Sequence, residues 1–298
     1  MGNNISIQSL SSAQESSLPN RTASRLGQRV MRGPDWKWDS QDGGEGYVGT
    51  LIAVEHPLSD AAEPSPVWVA WDHGVIERYR VSRTGPCDLR LYDSGPAGIH
   101  FPSVTCDACC KSGIGGTRWK CSECCDYELC HTCYMADKHS LDHAFLRYDA
   151  PGATGIKVAP RKGSLKRVVR GIFERAKVVR GPHWKRGDDD GADCTIGTVL
   201  SVRDGLSGTF RSTARVQWPD GDVETYSVGH GGDVALKFVE SAAGGTVYVD
   251  HMPLIAPIQL KDDSETEFFT GARVGVVMDV ETFRLLQQGL GDWVPEMA

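Results

Sequence analysis

The stretch CDACCKSGIGGTRWKCSECCDYELCHTC, residues 106–133, places eight cysteines within twenty-eight residues. Cysteines this dense are the legs of a disulfide scaffold or the ligands of metal ions. The rest of the chain narrows the choice. It has 298 residues, 40% hydrophobic and 24% charged, an ordinary soluble composition with room for two or three modest domains. Its longest apolar runs, such as VWVAW at 67–71, are too short to span a bilayer, so no transmembrane span is expected. No charged-then-apolar leader opens it. A reducing, cytoplasmic setting is therefore expected, where clustered cysteines are metal ligands more often than disulfides. A net charge of −7 argues against a general nucleic-acid surface.

Spacing sorts the ligands. Cys106/Cys109, Cys121/Cys124 and Cys130/Cys133 are CxxC pairs. Such a turn lets two thiolates reach one tetrahedral zinc at about 2.3 Å. Three pairs supply six ligands where two zinc ions need eight, and His139 and His143 of HSLDH complete the set. Their i, i+4 spacing shares one face if the stretch is helical. Cys110 and Cys125 are then bystander thiols, and Cys87 and Cys194 are buried small hydrophobes. The cofactors expected are thus two Zn2+ ions. Both coordination spheres are filled by protein, with no position for water or substrate. The sites are therefore structural rather than catalytic, each contributing on the order of 10 kcal/mol to folding.

This order, together with RWKC at 118–121 and DYELC at 126–130, resembles the ZZ-type zinc finger over residues 100–152. The resemblance implies a cross-brace. Cys106, Cys109, Cys130 and Cys133 hold one zinc, and Cys121, Cys124, His139 and His143 hold the other.

A second signal is an internal repeat. VMRGPDWKW at 30–38 returns as VVRGPHWKR at 178–186, an offset of 148 residues. Gly49-Thr50 pairs with Gly197-Thr198, Trp71 with Trp218, Tyr79 with Tyr226, and Leu89-Arg90 with Leu236-Lys237. Each copy consists of short strand-like runs separated by Gly, Asp and Pro turns, the pattern of a small β-barrel.

Two copies bracketing a ZZ finger resemble the amino-terminal region of the Mind bomb family of RING-type E3 ubiquitin ligases. The resemblance covers roughly residues 25 to 243 and includes RGPDWKWDSQDGGEG at 32–46. It implies a mainly β, multi-domain chain in which two SH3-like barrels flank a cross-brace ZZ finger. The organisation expected is a disordered segment at 1–17, MIB/HERC-type domain 1 at 18–95, the finger at 100–152 and a linker at 153–161. Domain 2 follows at 162–243, then a linker at 244–267, and the truncated start of a Mind bomb repeat at 268–298. The family's ankyrin repeats and RING fingers are absent from these residues. We read the chain as a fragment or truncated isoform, inactive alone, whose contact with an E2 would need that RING. By resemblance it recognises substrates for ubiquitination, chiefly the cytoplasmic tails of Notch ligands of the Delta and Jagged/Serrate type, whose ubiquitination promotes endocytosis. Saturated zinc spheres and the lack of a nucleophile–base motif count against an enzyme such as a zinc hydrolase. A stand-alone adaptor that binds protein amino termini or peptides is the other reading.

Two groups of residues are candidates for peptide binding. The first copy carries aromatics beside acids: Trp36, Trp38, Asp39, Asp42 and Glu45, in a glycine-rich loop suited to an extended basic peptide. The bland alternative is that the tryptophans pack the barrel core. In the finger, Asp107, Asp126 and Glu128 match acids with which some ZZ domains capture a free amino terminus, although Asp is usual at the last position. Their alternative is a solvated acidic edge. MGNNIS fits the pattern for myristoylation of Gly2, which would add a weak membrane or endosome contact. RKGSLKRVVR at 161–170 reads as a solvated basic linker.

Overall fold

A computed structural model describes residues 25–54, 65–82, 85–187, 190, 195–205 and 208–255. The expectations for residues 1–17, Gly2, Cys194 and 268–298 lie outside the described residues.

The first repeat copy is an antiparallel sheet of β1 (Arg29–Arg32), β2 (Gly49–Val54), β3 (Ser65–Trp71), β4 (Ile76–Val81) and β5 (Leu89–Asp93), in the order β4-β3-β2-β1-β5. Alternation places Val67, Val69 and Trp71 of β3 on the buried face with Val30, Leu51, Tyr79 and Leu89. The finger follows with β6 (His100–Thr105), β7 (Ser112–Gly115), β8 (Arg118–Cys121), β9 (Glu128–Cys130), the short helix α1 (His131–Met135), β10 (Phe145–Tyr148) and β11 (Ile156–Val158). Strands β6 and β7 form a hairpin, and the others a sheet in the order β11-β10-β8-β9. Its core is Trp119 stacked on Tyr134 at 3.7 Å, with Phe145 edge-on to Tyr134.

The remaining strands are β12 (Lys166–Gly171), β13 (Lys177–Arg180), β14 (Gly197–Arg203), β15 (Thr213–Gln217), β16 (Val223–Ser227), β17 (Leu236–Glu240) and β18 (Ala242–Tyr248). The second copy runs β16-β15-β14-β13-β17, the same order as the first. The repeat extends to fine geometry. Each first strand shifts register after its first residue, at Arg29/Val30 and at Lys177/Val178, and each second strand shifts at Leu51/Ala53 or Val199/Ser201. In both copies a buried indole N–H donates to a tyrosine hydroxyl at 2.8 Å, from Trp71 to Tyr79 and from Trp218 to Tyr226.

Three stretches expected to be linkers are built into the fold. Residues 156–158 pair with β10, and Arg161 is 1% exposed. The basic stretch continues as β12, which pairs with β18, so residues 244–248 are strand as well. Residues 249–255 return to the first copy, where Ile255 N–H donates to Leu89 O and Leu91 N–H to Pro253 O. Apolar positions decide this: Val169, Val247, Tyr248 and Met252 are buried against the finger core.

The two copies and the finger meet in one body. Asp72 of the first copy is fully buried; its carboxylate accepts from Arg29 and from Ile172 N–H, and its carbonyl from Phe238 N–H. A Cβ on Gly115 would lie 2.2 Å from Cγ of the Phe210 ring, so only glycine allows the second copy to seat against the finger there.

Candidate zinc centres and docking face

The first centre is assembled by the ends of regular elements. Cys106 follows β6, and Cys110 N–H closes a turn on Cys106 O at 2.7 Å that brings Cys109 round. The second pair spans the junction from strand to helix, with Cys130 ending β9 and Cys133 in α1. The four sulfurs of Cys106, Cys109, Cys130 and Cys133 lie within 4.8 Å of one another.

The second centre joins Cys121, Cys124, His139 and His143, whose ligand atoms also lie within 4.8 Å of one another. Cys121 ends β8, and Cys124 N–H points at Cys121 Sγ at 3.3 Å. Cys121 Sγ and Cys124 Sγ both lie 3.5 Å from His143 Nδ1, Cys124 Sγ lies 3.5 Å from His139 Nε2, and the two ring nitrogens are 3.1 Å apart. A tetrahedral zinc with ordinary bond lengths sets S···N at about 3.6 Å and N···N at about 3.3 Å. These edges are those of a ligand tetrahedron, and the residues fit the ion. Burial, then the neighbouring His143 and Arg161, lowers the His139 pKa, which favours the neutral, ligating imidazole. When bound, zinc would supply cross-links and no reactive position, because all eight ligand positions are protein atoms.

The residues expected to meet do so, and the pairs interleave as a cross-brace. One expectation changes. Residues 139–143 form a bend and turn, not a helix. The histidines converge because the loop folds back, with the His139 ring stacked on Tyr127 at 4.2 Å and edge-on to Phe145. Cys110 and Cys125 are exposed and outside both sets, and Cys87 is buried.

The peptide-binding candidates separate by environment. Trp36 packs against the first copy's core, stacked on Tyr79 at 5.1 Å, the packing alternative weighed for it. Its counterpart Trp184 stacks on Tyr226 at the same 5.1 Å. Trp38 keeps 36% of its surface exposed while its indole N–H donates to Asp88 at 3.2 Å. In the second copy Arg186 lies over Tyr226 and pairs with Glu224 at 3.0 Å. Asp42 is fully buried, its carboxylate taken by Arg32 and by Gly44 N–H, so it builds the loop and is withheld from any ligand. Asp39 and Glu45 are exposed, Glu45 pairing with Arg167 at 2.9 Å.

The finger acids are partly spent inside the finger. Glu128 is 6% exposed and bound by Arg118 through both oxygens, at 2.8 and 2.5 Å. Asp107 accepts Glu128 N–H at 2.6 Å. Asp126 is the open one, with Lys120 at 3.2 Å. Arg118 and Lys120 answer these acids, and sequence spacing gave no sign of either.

The Mib_herc2 family matches residues 27–93 and 175–240, and the family "Zinc finger, ZZ type" matches 101–144. The chain is 42% identical over 278 residues to E3 ubiquitin-protein ligase MIB2 of Gallus gallus, covering 92% of this chain and 29% of that protein. It is 43% identical over 272 residues to E3 ubiquitin-protein ligase mind-bomb of Drosophila melanogaster, covering 91% of this chain and 21% of that one. It thus spans less than a third of either relative. A crystal structure of the HERC2 ZZ domain in complex with a SUMO1 tail is 41% identical over 18% of this chain, at a TM-score of 0.18. Among the described residues no helix is long and apolar enough to cross a membrane. The chain thus carries two Mib_herc2 domains around a zinc-binding ZZ finger and is homologous to MIB2 and mind-bomb over nine-tenths of its length.

Proposed function

We propose that this region is the substrate-recognition part of a ubiquitin ligase, docking basic, membrane-proximal segments of cytoplasmic tails, those of Notch ligands of the Delta and Jagged type first among them. The observation that carries the reading is Trp38. It is a half-open indole fixed in place by Asp88, beside the exposed Asp39, on the copy that carries the QDGGEG loop at 41–46. A rigid aromatic beside an exposed acid, with the chain's own Lys37 over its ring at 5.5 Å, suits exchange of that cation for a lysine or arginine of a peptide, by cation–π and charge pairing. In the second copy the position of Trp38 is held by Arg186, which is engaged with the chain's own Glu224. We read each five-stranded unit as the SH3-like barrel that the resemblance implies. Zinc in this reading is structural, and recognition is the region's own contribution to ubiquitin transfer. Titrating a fluorescent tail peptide into the purified chain tests it. Saturable binding lost in Trp38→Ala is expected, and equal binding by the variant overturns the role of Trp38.

Amino-terminus capture by the finger is the other reading. An acetylated peptide separates the two, since capture needs the free ammonium and docking on Trp38 does not.

A further inference from the structure

We propose that Arg161 is a positioning residue for the second zinc centre, holding the loop that carries His139 and His143 in its ligating shape. It lies seventeen residues beyond the last position matched to the ZZ family, in a stretch that reads as a basic linker. Its side chain has no exposed surface, and the nearest carboxylate oxygen, of Asp137, is 3.9 Å away. A buried guanidinium is costly unless its donors are used. Here Nη1 donates to Tyr134 O at 2.6 Å, and Nη2 donates to His139 O at 2.9 Å and Ser140 O at 3.0 Å. The cation also sits over Tyr134 and Phe145, at 4.7 and 5.2 Å from the ring centroids. Nε has no partner, so the charge is held by three carbonyls and the two rings, with Asp137 contributing only from 3.9 Å.

The loop explains why such a residue is needed. Had residues 139–143 been helical, the carbonyl of His139 would accept from the amide four residues on. As a turn they leave the carbonyls of His139, Ser140 and Leu141 without a helical donor, so another must come from elsewhere. Arg161 supplies it for two consecutive carbonyls, and Lys162 N–H supplies it for the third, Leu141 O, at 3.0 Å. The Lys162 ammonium adds Asp142 at 2.7 Å. The backbone on the His139 side of the centre is therefore shaped by residues 161–162. Partners that orient metal ligands in this way typically change affinity by about 10- to 100-fold when removed.

The two centres differ in donor set, four sulfurs against two sulfurs and two nitrogens, so bound cobalt(II) reports each by its own visible bands. The experiment is chelator competition against the cobalt-loaded full chain, as wild type, Arg161→Ala and Arg161→Lys. Lysine keeps a cation but cannot reach both sides of the loop. Both variants are expected to lose the band of the mixed sulfur–nitrogen centre at about 10- to 100-fold lower chelator, with the all-sulfur band unchanged. Equal weakening of both bands would mean a general loss of folding, and unchanged titrations would mean no role; either result overturns the proposal.

Discussion

Arg211 of the second copy donates to both carboxylate oxygens of Asp93 in the first, at 2.6 and 2.8 Å, and its Nη2 also reaches Gly115 O of the finger at 2.9 Å. One guanidinium thus joins all three modules, which present their surfaces at a fixed spacing. Burial tends to raise the Asp93 pKa, but the Arg211 charge and its hydrogen bonds outweigh this and hold it below the usual carboxylate range. Arg211→Ala leaves that carboxylate buried and unpaired. Breaking a buried pair costs about 3–5 kcal/mol, and we expect the lower end because a third of the Arg211 side chain reaches solvent. The shift of the urea midpoint measures it; a change under about 0.5 kcal/mol would remove the clasp from the account.

Metal content is the second prediction. Purified chain carries two zinc ions, and Cys124→Ser retains about one by native mass spectrometry. Stripping both collapses the finger and loosens β12 and β18, because Val169, Val247 and Met252 share its core. A variant that still holds two ions would show that the second centre is wrongly composed.

Acid sensitivity gives the third. His251 is 4% exposed, between the Tyr134 hydroxyl at 2.7 Å and the Ser164 hydroxyl at 3.1 Å. Burial lowers its pKa, against the opposing pull of Asp250. The folded protein therefore takes up this proton less readily than the unfolded chain. The stability it contributes is complete above the unfolded value of about 6.5 and is lost as pH falls below it. Denaturant midpoints at pH 7.5 and 5.5 should differ less in His251→Gln than in wild type. Parallel curves would show that His251 does not titrate with unfolding.

The approach at Gly115 gives the fourth. Gly115→Val collides with Phe210 and pushes the second copy off the finger, with a cost of about 1–3 kcal/mol typical of overpacking. A second variant, Gly115→Val with Phe210→Ala, removes the ring that the valine meets and should recover part of that cost. Amide exchange near Phe210 should rise in the first variant; unchanged protection would contradict the contact.

Spacing alone made the zinc ligands legible, because a thiolate tetrahedron leaves few ways to arrange three CxxC pairs and an HxxxH. The repeat was legible because both copies keep Trp36 as Trp184, Gly49 as Gly197, Trp71 as Trp218 and Tyr79 as Tyr226, in that order along the chain. What the sequence hid was long-range. Arg161 looks like one basic residue among several, and only the fold shows three carbonyls converging on it. Residues 244–255 looked like a linker because β18 buries few side chains, with Gly244 and Gly245 in its middle. The acids proposed for peptide docking looked alike in sequence. Burial sorts them, taking Asp42 inside and leaving Asp39 out. The structure also changes how recognition should be tested. Cutting the chain between copies would strand Asp72, whose carboxylate serves Ile172, so point variants of the full chain replace fragments.

The most direct test of the account is a titration of a labelled, basic, membrane-proximal Notch-ligand tail peptide into the zinc-loaded chain at low and high salt. The account predicts saturable binding that weakens as salt shortens the Debye length from about 10 Å at 0.1 M. It also predicts that Trp38→Ala costs on the order of 2 kcal/mol of binding, and that Asp39→Asn costs less. An absence of saturable binding at every salt concentration, or binding that Trp38→Ala leaves untouched, would contradict it.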